Sequence, residues 1–413
     1  MKSRTKYIFI FLSIIVIRLL LDYLYFYIVQ PRYDYWGYIS DPSKGSYIIS
    51  FVLLLPSIFL LKPYFFTDKF FISNCVILLY FIGFVPTTTI VAFDPQPIGF
   101  IISTAIYWYL FLFLIIRYNV KSFRIKQLPE SFLLMLGVFF GFVVIYISGK
   151  YAHFRFTISL TDVYDFRTEA RQFDISRILN YLWAASRLVL PILVSFYLIK
   201  KEYVIAIVFM LLIVLNFSID GSKSTLFSLF ICLLLFFFIK GNITKWFPVL
   251  IVLFLSIAIA EFFITDTSFI ANMFIRRNFF VPSILDTKYY DLISTRGPVY
   301  WSYTVDGKDI AFYIGDYYFG REEMRANNGM FSDAYQNIGL LGCFFYPILY
   351  AIFFNIANEL SKNANKGIVL LVCFLCAYKM RGSTFTTVLL THGILLTVIV
   401  LALMPSFKQS IKK

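Results

Sequence analysis

Apolar residues in this chain come in long uncharged runs separated by short polar breaks. The first extends from Tyr7 to Val29, and later ones lie at 47–61, 70–92, 97–116, 131–149, 178–199, 203–219, 224–239, 246–265, 335–357, 367–380 and 383–404. A helix crossing the hydrocarbon core needs about 20 apolar residues. The pattern therefore predicts an all-α polytopic membrane protein of about twelve transmembrane helices, a single integral membrane domain over 1–413. The first run is too long for a signal-peptide core and no small-residue cleavage site follows it, so it reads as a retained span. The 203–239 region is interrupted only by Asp220-Gly221-Ser222-Lys223, and 367–380 is short. No repeat of 20 to 50 residues and no inverted duplication is visible.

Composition sharpens this. Of 413 residues, 60% are hydrophobic and 15% charged, where soluble chains sit nearer half and a quarter. A soluble globular fold and a disordered chain are both excluded. All five cysteines (Cys75, Cys232, Cys343, Cys373, Cys376) fall within apolar runs, so they read as packing rather than as a disulfide framework. His153 and His392 are too few and too far apart for a histidine metal site.

The net charge of +14 is first a topology signal. With the N-terminus in the cytoplasm, 18 Lys and Arg fall on the inner side, nearly all in short loops or tails, and the short outer loops carry few. The positive-inside rule then favours cytoplasmic N- and C-termini. Two long outer loops, near 150–177 and 266–334, hold most of the remaining cations. The two sides differ in kind: the inner cations are 15 Lys and 3 Arg, the outer ones 11 Arg and 6 Lys. Any positive charge suffices for topology. Arg adds a planar fork that grips phosphate or carboxylate through two parallel hydrogen bonds. An Arg-rich outer face is expected to handle an anion, unless those arginines merely pair with loop carboxylates such as Asp165, Glu169, Asp286 and Asp291.

Several clusters could carry that chemistry. In the first long loop Arg167 and Arg171 are four apart, on one face of a possible amphipathic helix lying at the membrane surface. The second opens with Arg276-Arg277, followed by Phe279-Phe280, Pro282 and Tyr289-Tyr290. Adjacent guanidinium groups would hold an anion and aromatic rings would stack on a sugar or apolar face. An interfacial aromatic belt with an Arg anchor is the plainer alternative. Gly221 and Ser222 before Lys223 can open a helix start that favours anions, or form a simple hairpin turn. Arg18 and Asp22, four apart in the first span, can pair with each other. Arg187 has no obvious local partner in its span, which makes it a functional candidate.

Taken together, the many spans, the large outer loop in the C-terminal third, Gly221-Ser222-Lys223-Ser224 at a span start, Arg276-Arg277 with Pro282 and Tyr289-Tyr290-Asp291, and the segment Asn328 to Gly342 leading into a span resemble the O-antigen polymerase (Wzy) family. The resemblance covers most of the chain in architecture and about forty residues in motif. Gly339-Leu340-Leu341-Gly342 is also similar to the related O-antigen ligases, but those have a His where this chain has Asn328. The resemblance implies a metal-independent glycosyltransferase of the bacterial inner membrane that needs no cofactor. It would join oligosaccharide repeat units carried on undecaprenyl pyrophosphate into O-antigen or a related surface polysaccharide. Its partners would be those lipid-linked glycans, membrane lipids and a chain-length regulator, with no nucleic acid. Arg277 and Arg276 would then act on the pyrophosphate, with Arg167, Arg171, Arg187, Lys223, Arg296, Tyr289 and Tyr290 binding substrate. Asp162, Glu169, Asp291 and Asp333 are all available as a base. A lipid-linked oligosaccharide flippase would also suit twelve spans, although transporters commonly show repeat symmetry and deep charges in several spans.

Overall fold

The computed structural model describes residues 3–122, 125–158, 163–238 and 246–405. Asp162 lies outside the described residues, as do the inner-side cations Lys2, Arg124, Lys240, Lys245, Lys408, Lys412 and Lys413. The described chain is helical almost throughout. Its single sheet is a hairpin pairing Thr304–Val305 with Lys308–Asp309.

Among the described residues, nine helices are long and apolar enough to cross a membrane: Tyr7–Trp36, Lys44–Phe65, Phe70–Phe93, Ile98–Arg117, Glu130–Tyr151, Arg177–Lys200, Tyr203–Asp220, Phe247–Thr265 and Leu340–Ser361. Each matches one of the twelve predicted runs. Among the described residues the other three runs form shorter helices. Lys223–Phe238 and Lys366–Arg381 have 16 residues each, about 24 Å of helix against a core of about 30 Å. The last run is divided: a π turn over Thr387–Thr391 ends at His392 and Gly393, and only Ile394–Leu403 follows as helix. Gly393 sits at φ +76° and a Cβ there would meet the Ala185 backbone at 3.2 Å, so the break depends on glycine.

Proline shapes the long helices in a repeated way. π turns at Leu24–Val29, Tyr80–Phe84 and Ala271–Phe280 are followed two residues on by Pro31, Pro86 and Pro282. In each case the residue before the proline donates to the carbonyl five back: Gln30 to Tyr25, Val85 to Tyr80, Val281 to Arg276. Proline has no N–H and its ring crowds the carbonyl four residues earlier. A widened turn relieves that crowding without ending the helix.

The chain divides into two compact units. The first comprises Met1–Val120, Asn242–Asn355 and Met380–Phe385; the second comprises Lys121–Gly241, Ile356–Lys379 and Thr386–Lys413. In the first unit Arg18 and Asp22 form the expected i, i+4 pair. Arg18 also donates from Nε to Thr88 Oγ1 and from Nη2 to Ser50 Oγ and the Thr88 carbonyl, each at 2.9 Å. With the Arg18 guanidinium wholly buried and each of its nitrogens bonded, this pair is structural. The second unit packs Arg177–Lys200 against Glu130–Tyr151, Tyr203–Asp220 and Lys223–Phe238.

The long segment after Thr265 is not an irregular loop. It folds as the π segment Ala271–Phe280, helix Val281–Arg296, the hairpin, helix Ile310–Phe319 and helix Met330–Ile338. Gly339 turns the chain at φ +59°, and Gly342 lies so near the preceding helix that a Cβ would fall 1.9 Å from the Ala334 carbonyl oxygen. The Gly339 to Gly342 motif therefore has a packing reason at this elbow.

Candidate anion site

Arg276 and Arg277 occupy the last turns of the Ala271–Phe280 π segment. Two ties bring the end of the first span to this segment: Arg32 pairs with Asp266 at 2.7 Å, and the Tyr33 hydroxyl meets Ser268 Oγ at 3.0 Å. Beyond Tyr33 a short 3-10 turn, Asp34–Trp36, closes at Gly37. Gly37 has φ +75°, and a Cβ there would sit 3.2 Å from the Phe319 ring, which lets the Phe319–Arg321 stretch lie against the turn. Trp36 thereby receives two cations. The Arg321 guanidinium lies 3.7 Å from its ring centroid and that of Arg276 lies 5.6 Å away; Arg276 is also 4.8 Å from the Tyr33 ring.

Arg276 is only 6% exposed, and its Nε donates to Asn272 Oδ1 at 2.8 Å. Among the described residues no carboxylate comes within ion-pair distance of Arg276 or Arg321. Burial drives the Tyr38 phenol well above its ordinary value, and the Arg276 and Arg277 charges oppose it, so both guanidinium groups act on this spot. Arg277 itself is exposed. Burying a cation without a counter-charge costs several kcal/mol, on the order of the whole gain from an ordinary contact network. Aromatic faces return only about 1–2 kcal/mol.

No family model, curated protein or solved structure matches this chain.

The other anticipated residues fare differently. Arg187 does have a partner: Asp220, at the end of the next helix, lies 3.0 Å away, and Trp183 lies beneath the guanidinium at 4.3 Å. The partner comes from the neighbouring helix Tyr203–Asp220 and not from Arg187's own span. Arg296 pairs with Asp306 in the hairpin. Tyr289 is buried, and its hydroxyl donates to the Ala326 carbonyl at 2.8 Å, so it packs the interior and does not face a ligand. Tyr290 packs against Tyr335 at 4.7 Å, with its hydroxyl where a Cβ on Gly99 would stand.

Arg167, Arg171, Arg187 and Lys223 belong to the second unit. The surface helix anticipated there exists as Val163–Ala170, with Arg167 and Arg171 exposed at its C-terminal end. Arg155 fastens it: Nη1 meets Glu169 at 2.6 Å while Nε and Nη2 donate to the Ser218 and Ile219 carbonyls. Gly221 sits at φ +63°, where a Cβ would fall 3.0 Å from the Val163 backbone, and Lys223 opens the following helix.

Of the possible bases, Glu169 is committed to Arg155, and Asp291 accepts from the Tyr318 hydroxyl at 2.6 Å. Asp333 is buried, and that burial pushes its carboxyl up to about 7 against bonds from Phe385 N, Gln336 and Asn337. Sequence reasoning singled out Arg276 but missed Trp36. Its only signal was an aromatic-rich stretch, Tyr33 to Tyr38, at the outer end of the first span.

Proposed function

We propose that this protein is a polytopic membrane glycosyltransferase that lengthens a surface polysaccharide, in the manner of the O-antigen polymerases. The observation that carries the reading is Arg276: a buried guanidinium beside the Tyr33 and Trp36 rings with, among the described residues, no carboxylate within ion-pair distance. A lipid-linked diphosphate supplies the missing charge and the paired oxygens that a guanidinium fork binds. In the reaction an acceptor sugar hydroxyl oxygen bonds to the anomeric carbon of the donor glycan. The bond from that carbon to the diphosphate oxygen breaks, and the lipid diphosphate leaves with the electron pair. The hydroxyl proton passes to water or a carboxylate. Charge grows on the leaving oxygen as the bond lengthens, and preplaced guanidinium groups stabilise that growth. Arg277, beside Arg276, serves the same diphosphate.

On this reading the helical layer of 266–334 faces away from the cytoplasm of a bacterial inner membrane, the termini are cytoplasmic, and a chain-length regulator is the expected partner. The experiment is loss of the protein followed by analysis of surface polysaccharide. A polymerase defect leaves lipid A-core bearing a single repeat unit. Loss of a flippase or a ligase leaves none, and that outcome contradicts the proposal. Topology is read by cysteine labelling: a cysteine placed at Ser302 reacts from outside, and one at Lys121 does not.

A further inference from the structure

Between Arg296 and Ile310 the chain holds aromatic residues in a conformation that L residues avoid. Tyr300, Trp301 and Tyr303 have φ of +46°, +62° and +54°. A bulky residue persists there only when its surroundings force it. Here they do. Val299 N and Tyr300 N donate to the Gln336 and Asn337 carbonyls at 2.8 and 3.1 Å, and Trp301 N donates to Asn337 Oδ1 at 2.9 Å. The indole N–H of Trp301 reaches the Tyr346 hydroxyl at 3.2 Å. Asn337 is itself fixed by Asp333 and by that same hydroxyl.

A strained backbone so firmly held would usually serve a buried side chain. These residues are exposed instead, Tyr300 by 69% and Trp301 by 46%, with one edge of the indole anchored on Tyr346. The next helix adds Tyr313 and Tyr317, stacked with centroids 5.8 Å apart and planes 19° from parallel, Tyr317 being 66% exposed. Arg296 joins the two elements, paired with Asp306 in the hairpin and lying 5.2 Å over the Tyr313 ring.

We infer that Tyr300 and Trp301, with Tyr313 and Tyr317, form a platform that binds the sugar rings of a glycan. The occupant rests on the glycan-handling reading above. Its chemistry follows from the surface. Flat faces held rigid suit the C–H face of a pyranose and lose little freedom on binding. The phenol hydroxyls, the exposed Lys308–Asp316 pair and Asp306 supply partners for sugar hydroxyls. Those same charges would be costly to carry into hydrocarbon, which argues against a lipid tail.

The test uses the full-length protein in detergent micelles, titrated calorimetrically with the oligosaccharide released by mild acid from the producing cells' surface polysaccharide. Tyr300→Gly and Trp301→Gly are each expected to weaken binding at least tenfold, whereas Trp301→Phe weakens it less than threefold. Glycine adopts positive φ freely, so Tyr300→Gly should keep or raise the thermal midpoint, separating lost binding from lost folding. Unchanged affinity in both glycine variants, or no binding by the wild type, overturns the platform. So does fluorescence quenching by brominated acyl chains in vesicles that Trp301→Phe abolishes, since that places the ring in a headgroup belt. Inorganic pyrophosphate is titrated in parallel. Failure of the wild type to bind it contradicts the diphosphate reading and leaves the oligosaccharide result to be judged separately.

Discussion

Two buried arginines in the same unit make opposite use of one side chain. Arg381 is 4% exposed and completely matched: Nη1 meets Asp286 at 2.9 Å, Nη2 meets Ser283 Oγ at 2.9 Å, and Nε donates to the Ile82 carbonyl at 3.3 Å. That carbonyl is open to it because Pro86, four residues on, has no N–H to offer. The Ser332 hydroxyl completes Asp286. Arg276 is almost as buried, yet among the described residues it meets an amide oxygen, the Tyr38 phenol and two aromatic rings, and no carboxylate within ion-pair distance. Burial and residue type are nearly equal, so what separates the two arginines is the carboxylate that only Arg381 meets within ion-pair distance among the described residues.

The largest expected effect is at the matched site. Arg381→Ala strands Asp286, and breaking such a pair costs about 3–5 kcal/mol. The variant should lose most of its folded yield, measured by size-exclusion fluorescence of the detergent extract. Full yield would erase the contrast.

At the unmatched site the effect should fall on activity. Arg276→Ala is expected to keep normal membrane level and to lower polymerisation by about 10²-fold or more, the scale for a lost charge-stabilising donor. Arg276→Lys should not restore it, because a point charge lacks the fork. Restoration by Lys, read from the polysaccharide ladder, would mean that charge alone matters. A smaller change is expected for Trp36→Ala, about five- to tenfold in pyrophosphate affinity, since a cation over an aromatic face is worth about 1 kcal/mol. An unchanged affinity would remove the indole from the site.

A separate effect, on stability and not on the site, concerns pH. Burial raises Asp333 from 3.8 to about 7, so the folded chain keeps a proton that the unfolded chain releases. The stabilisation is complete below the ordinary carboxylate range and is lost as pH rises through about 7. Thermal midpoints should therefore decline from pH 5 to pH 8, and the decline should be shallower in Asp333→Asn. Equal slopes would show that this carboxyl does not titrate there.

Much of the architecture was legible because spanning helices announce themselves by uncharged length. Arg18 with Asp22 was legible too, being one turn apart. The last predicted run is broken at Gly393, which was in plain view but carries meaning only beside Ala185, which a Cβ there would meet. Lys223–Phe238 and Lys366–Arg381 read as spans by composition, and their described helices have 16 residues each. The partner of Arg187 lay on the next helix, beyond any local spacing rule. Trp36, Arg276 and Arg321 come from three separate stretches of chain, and no periodicity links them. Their meeting is a tertiary fact set by Gly37, Phe319 and the Tyr33–Ser268 contact.

The central claim is that Arg276 and Arg321 await a diphosphate. Calorimetric titration of the purified full-length protein with inorganic pyrophosphate addresses it most directly, comparing wild type with Arg276→Ala and Arg321→Ala. Saturable binding that falls at least tenfold in each variant, while Arg296→Ala binds normally, is the predicted result. Equal binding by all four proteins, or none by the wild type, would contradict it.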